Sequence, residues 1–291
     1  MSSRFLSLGR YLVQASLSFT LLIQPIPIFA EHENQASILD VSAYQENPYV
    51  DPEIWDDLSP YFLPEDHPIK EMLDDIFSNK KRVIQSKKSL KKAKFKIIRE
   101  GKYRHPYVVS HPRLEGYLLK LYTDAQEYAN KKEIRSVCRI FGAQLMQEAL
   151  DRYGYNSLFK VPKKWIYPLP AEPSPPDKKK YCRRNFVLVV EDMEILNKEK
   201  NYDMWKSTAI TTEKLDALYI IVNELGLCDS IVAFNIPFSS DGKIAFIDTE
   251  YFHRWPIKFY RLDHYLSLEM RGYWKQLILN QYHNNGVEPT P

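Results

Sequence analysis

The sequence predicts an α+β fold, on three observations. Short β-prone runs crowd into one region. Residues 95–98, 107–109 and 117–122 are such runs, separated by Gly101, Pro106, Pro112 and Gly116, residue types that punctuate strands. A long helical period follows over 124–153, where Tyr128, Ile134, Val137, Phe141, Leu145 and Ala149 recur at three- and four-residue spacing, as one buried helix face requires. Later, 211–227 and 257–282 read as helices again. Strands in one block and helices in another fit α+β better than alternating units.

Taken in order, residues 1–30 read as a secretory signal peptide. Arg4 and Arg10 lie at the start, residues 11–23 are largely apolar, and a Pro-containing segment ends in Ala30. The apolar stretch is short for a bilayer span, and Ala30 is a small residue at the expected cleavage point. An uncleaved anchor or a buried first helix is the other reading. Export would place the product in a periplasm or outside the cell, with no transmembrane helix in the mature chain.

Residues 31–93 form an arm of two halves. Residues 31–79 hold thirteen Asp and Glu against one Lys, and aromatics and prolines from Pro48 to Pro64 suit an extended arm packed by its rings. Within it, 68–77 reads as a short amphipathic helix. Residues 80–102 then hold eleven Lys and Arg against Glu100. Such a block can meet an anionic partner such as lipid headgroups or nucleic acid, but a solvated face, or one neutralised by the acidic arm just before it, is favoured, because adjacent blocks of opposite sign can pair within the chain. Formal charge is only +3 over 291 residues, so no specific nucleic-acid partner is indicated.

Lys120 lies within 117–122 between Leu119 and Leu121, facing opposite to both by alternation. Glu133 borders the apolar face of the 124–153 helix. Residues 161–167 read as a strand, and the Pro-rich 168–184 holds neither a helix nor a central strand. Residues 185–190 read as a buried strand that leaves through Glu191, Asp192 and Met193. Gly226 ends the helix that Thr211 or Thr212 caps. Three cysteines, Cys138, Cys182 and Cys228, allow either one bridge and one free thiol or three buried thiols, and none has metal-ligand spacing.

Residues 235–250, NIPFSSDGKIAFIDTE, hold two apolar runs around Asp241-Gly242, a strong hairpin signal. A hairpin brings its ends together, so Asn235 and Asp248 meet. One amide oxygen and one carboxylate make a plausible Mg²⁺ corner, because that ion takes few, hard oxygen ligands from protein. An ordinary surface hairpin is the blander reading.

The order of these elements resembles the protein-kinase-like superfamily, which includes protein kinases and the choline and aminoglycoside kinases. The resemblance spans roughly 95–251. It implies a two-lobed fold, with a small antiparallel-sheet N-lobe over 94–190 and a reduced helical C-lobe over 191–291. It assigns Lys120 to the phosphates, Glu133 as its helix partner, and the hinge from Glu191 to Met193 to adenine. Asn235 and Asp248 would hold Mg²⁺ or Mn²⁺, and IDTEY at 247–251 is closer to the Ile-Asp-x-Glu form of the small-molecule kinases than to Asp-Phe-Gly. The chain departs from the pattern at three points. No glycine-rich loop precedes Lys120, and residues 110–115 stand where phosphate-covering backbone is expected. Ser230 occupies the family's catalytic aspartate position, leaving Asp229, one residue earlier, as the candidate base. Only about forty residues follow Asp248.

The implied function is an exported, ATP- and Mg²⁺-dependent phosphotransferase of degenerate form, acting on a protein or small-molecule acceptor. A secreted pseudokinase-like binding module is the alternative, and an unrelated α+β domain is a third.

Overall fold

A computed structural model describes residue 44 and residues 46–102, 105–126 and 132–284, with backbone alone at 132–134 and 281–284. The expected signal peptide lies outside the described residues. The architecture is mixed helix and antiparallel sheet, as the sequence predicts. Among the described residues, no helix is long and apolar enough to cross a membrane.

The described part of the acidic arm is not extended. It folds into α1 (Pro52–Leu58), a 3₁₀ turn and α2 (Lys70–Phe77), the helix expected at 68–77; α3 (Lys87–Lys92) follows in the basic segment. Asp51 caps α1, its carboxylate accepting from the Glu53 N–H at 2.9 Å, and Ser86 caps α3 in the same way, each cap contributing about 1 kcal/mol. The rings do pack as expected. Trp55 and Phe62 meet edge to face at 5.0 Å.

The three short runs become β1 (Lys96–Arg99), β2 (Tyr107–Ser110) and β3 (Tyr117–Leu121). After α4 (Lys132–Tyr153) come β4 (Phe159–Lys160), β5 (Lys164–Pro168) and β6 (Phe186–Glu191). Five strands form one antiparallel sheet in the order β1-β2-β3-β6-β5. Residues 100–106 join β1 to β2, and residues 111–116 join β2 to β3. Residues 110–115, where the resemblance expects phosphate-covering backbone, are the last residue of β2 and most of its connection to β3.

Strand alternation sorts the sheet's two faces. Val109, Leu119, Leu121, Val187 and Val189 pack on one side with Leu73, Phe77 and Leu90 of the N-terminal helices. Ile166, Leu188 and Val190 pack on the other with Ile140 of α4 and with Trp55 and Leu58. Lys120 pairs across the sheet with Leu188, so it lies on the α4 side.

A second core contains α5 (Lys198–Lys206), α6 (Thr212–Glu224), the 3₁₀ segment Phe259–Tyr265 and α7 (Leu268–Asn284). Gly226 follows α6 with φ +60°, the left-handed conformation that favours glycine after a helix. α4 serves both cores, with Ile140 in the sheet-side cluster and Met146, Ala149 and Leu150 in the helical one.

Much of the basic block is a solvated face, with Lys80, Lys81, Lys88, Lys91 and Lys92 exposed, and two of its cations pair within the chain with acids outside the acidic arm. Arg82 is buried against Asp124, beyond β3, at 2.9 Å, and Lys87 pairs with Glu100. Cys138, Cys182 and Cys228 are all free thiols, and only Cys182 is exposed.

Candidate functional site

Residues 235–250 form the expected turn. The Ser239 N–H donates to the Lys243 carbonyl at 2.9 Å, and the Asp241 carboxylate accepts from the Lys243 N–H at 3.1 Å. Gly242 sits at φ +78°, a conformation costly for any residue with a Cβ. The strand of β7 (Ile244–Ala245) also pairs in parallel with β4. Ile236, Phe238, Ile244 and Phe246 are fully buried, so the hairpin belongs to the core and is no surface feature. The Ile247 N–H donates to the Asn235 carbonyl at 3.2 Å, closing the hairpin one residue before Asp248.

Lys120 reaches this corner from β3. Its Nζ lies 3.1 Å from the Ile247 carbonyl, across 127 positions of sequence. Burial and the neighbouring charge of Arg139 pull its pKa down to about 8, against the attraction of Asp248. Burial opposes ionisation of Asp248, but Lys120, Arg139 and Lys164 together hold its carboxyl below its usual value. One oxygen of that carboxylate, Oδ1, is buried and has no hydrogen-bond partner among the described residues. An unsatisfied buried carboxylate oxygen calls for a donor or a cation.

The segment after Asp248 is riveted to α4. Thr249 is fully buried, and its hydroxyl donates to the Arg139 carbonyl while accepting from Lys164 Nζ. Glu250 is gripped by two arginines one helical turn apart, Arg139 at 2.6 Å and Arg135 at 3.3 Å. Gly142 makes the approach possible. A Cβ there would lie 2.0 Å from the Thr249 carbonyl oxygen. The side chain of Glu133 lies outside the described residues. Among those described, α4 offers this corner arginines, and the acid that meets them is Glu250.

Asn235 donates its amide N–H to the Asp229 carbonyl at 2.6 Å, which turns its amide oxygen into the atom free to ligate. Ser230 is 1% exposed, whereas the Asp229 side chain is 52% exposed and lies 3.5 Å from Arg261. The acid of this loop, Asp229, thus faces outward, while its neighbour Ser230 is buried. Glu191 exchanges bonds with Lys163: its N–H donates to the Lys163 carbonyl at 3.1 Å, and its carboxylate accepts from the Lys163 N–H at 2.8 Å. Met193 and Glu191 both line a cleft that contains neither Asn235 nor Asp248. Among the described residues, no group of three or more His, Cys, Asp and Glu side chains converges on a metal site, so a cation here would rest on Asn235 and Asp248 with water or phosphate.

Sequence reasoning missed Arg99, Arg139, Lys164, Thr249 and Gly142. One signal was available for α4: Arg135 and Arg139 stand four residues apart, on one helix face. Lys164 opens a strand that is otherwise apolar.

No protein-family model matches the chain, and no curated protein is significantly similar to it.

The depressed pKa of Lys120 has a measurable consequence. Folded, Lys120 binds its proton less firmly than in the unfolded chain, so between about 8 and 10.5 the unfolded state holds more protons. Stability from this group therefore rises with pH across that window. Urea denaturation of wild type and Lys120→Met should show the difference moving toward wild type as pH climbs through it. A pH-independent difference would refute the burial of this amine.

Proposed function

We propose that the chain is a two-lobed, protein-kinase-like phosphotransferase of reduced form. The observation that carries this reading is the meeting of Lys120, from the third strand of a five-stranded antiparallel sheet, with Ile247 and Asp248 beyond the helical core. The order of elements supports it: three strands, a long helix, two strands, helices, then the Asn235–Asp248 corner.

The residues fit a nucleotide carrying Mg²⁺ or Mn²⁺. The partnerless Asp248 oxygen and the Asn235 amide oxygen suit a hard cation. Such an ion supplies charge neutralisation on the transferring phosphate. Lys120, with Arg99 within electrostatic reach of it, supplies a cation for the phosphates, and a bound polyphosphate offsets the cost of burying it. Asp229 is the candidate base, exposed where an acceptor hydroxyl can approach. Glu250, clamped by Arg135 and Arg139, fixes the loop that carries Asp248. The Pro-containing leader at 1–30 accords with an exported protein.

Transfer of labelled γ-phosphate to protein or small-molecule acceptors tests this. Transfer is expected with Mg²⁺ or Mn²⁺ and is lost in Asp248→Ala and Asp229→Ala. Transfer retained in Asp248→Ala removes the metal assignment. One observation favours the pseudokinase-like reading: Asp229 is paired with Arg261, and Ser230 is buried. Nucleotide binding without transfer would decide for it.

A further inference from the structure

A cleft that shares Lys164 with the corner around Asp248 contains none of Lys120, Arg139, Asn235 and Asp248. It has a volume of about 750 Å³ and lies among α4, the β4–β5 turn, the end of β6 and Lys243. No residue of β3 lines it. Its size falls in the range of small-molecule sites, roughly 300–1,000 Å³.

Its chemistry is two-sided. Trp165 and Met193 are its partly exposed apolar lining, set over the buried Ile140, Ala143, Phe159 and Val161. The lining also carries four lysines against Glu148 and Glu191. Two of the lysines are already committed, Lys160 to Asp241 at 3.1 Å and Lys164 to the Thr249 hydroxyl. Lys163 and Lys243 are different. Among the described residues neither ammonium has a carboxylate within ion-pair distance. An apolar wall beside two uncommitted cations suits a small molecule with a flat apolar body and one acidic group.

We propose that this cleft is a binding site for a small aromatic or similarly flat monoanion, its acid met by Lys163 and Lys243. Glu191 and Met193, which the kinase-like reading gives to adenine, also line this cleft, but the proposal does not rest on nucleotide binding. The full-length chain is titrated with 8-anilinonaphthalene-1-sulfonate, an aryl sulfonate, and followed by fluorescence. Saturable one-to-one binding is expected. It should weaken about tenfold or more in Lys163→Glu/Lys243→Glu, as loss of charge-assisted contacts implies. Gln144→Trp, at an exposed position on the cleft wall, should block it by filling the mouth. Lys206→Glu, an exposed charge reversal outside the cleft, should leave it unchanged. Absence of saturable binding, equal affinity in all four proteins, or equal weakening by Lys206→Glu would overturn the proposal. Because no nucleotide is used, these outcomes are independent of whether the chain binds ATP.

Discussion

Gly142→Ala destabilises the protein by about 3 kcal/mol or more, because it drives a Cβ into backbone that cannot step aside. Two effects oppose each other here. Alanine in a helix interior is favoured over glycine by roughly 0.5–1 kcal/mol. The new Cβ, however, would stand 2.0 Å from the Thr249 carbonyl oxygen and 3.0 Å from the Phe252 ring. Thr249 is held on its other side by its hydroxyl bond to the Arg139 carbonyl, so relief requires α4 and the Asp248 loop to separate. Steric cost therefore wins over propensity. In a chain of this size the melting temperature should fall by roughly 6–12 °C. Gly272, on α7, has nothing within 4 Å of its Cβ position and supplies the control: Gly272→Ala should be neutral or stabilising. A harmless Gly142→Ala would mean that the helix and the loop are not in contact.

The second large effect is expected at Asp124, which is fully buried. Its carboxylate accepts from Arg82 Nε at 2.9 Å, Arg82 Nη2 at 3.2 Å and the Arg184 N–H at 3.0 Å. Arg82 in turn donates to the carbonyls of Pro173 and Arg184. One ion pair thus ties the basic segment, the exit from β3 and the Pro-rich loop together. Asp124→Ala strands a buried guanidinium, and removing one partner of a buried pair costs about 3–5 kcal/mol. Replacing both, as in Arg82→Met/Asp124→Leu, should cost clearly less than the two single changes summed, since no charge is left unpaired. Urea midpoints of the four proteins measure the coupling. Additive losses would contradict the pairing.

The two predictions bear on what the sequence could show. β1, β2 and β3 were legible because Gly and Pro separate their apolar runs, and β6 because it is one continuous apolar run. The hairpin was legible because Asp241-Gly242 sets its turn and the distance between its ends. Three helices were not. α3 reads KKSLKK and buries only Leu90, so it has no period to detect, and its stability comes from the Ser86 cap and the sheet. α5 is polar and buries only Asn201 and Trp205. α1 hides behind a proline that the sequence offers equally to an extended arm. At the site, Asn235 and Asp248 lie within one local motif. Lys164 and Thr249 are 85 positions apart, and Arg139 and Glu250 are 111 apart. Nothing in local pattern announces such pairs. Gly142 was equally silent, because its role depends on a loop more than a hundred residues away.

Asn235, Asp248 and Lys120 are proposed to form one corner for a metal-bound nucleotide. Thermal unfolding of wild type and Asp248→Asn, titrated with ATP and Mg²⁺ or Mn²⁺, reads that corner. At a hundredfold excess over its dissociation constant a ligand adds about 2.7 kcal/mol, which in a chain of this size is a rise of roughly 5–10 °C. Wild type should show that metal-dependent rise and Asp248→Asn should lose it. No rise in wild type, or an equal rise in Asp248→Asn, would contradict the account.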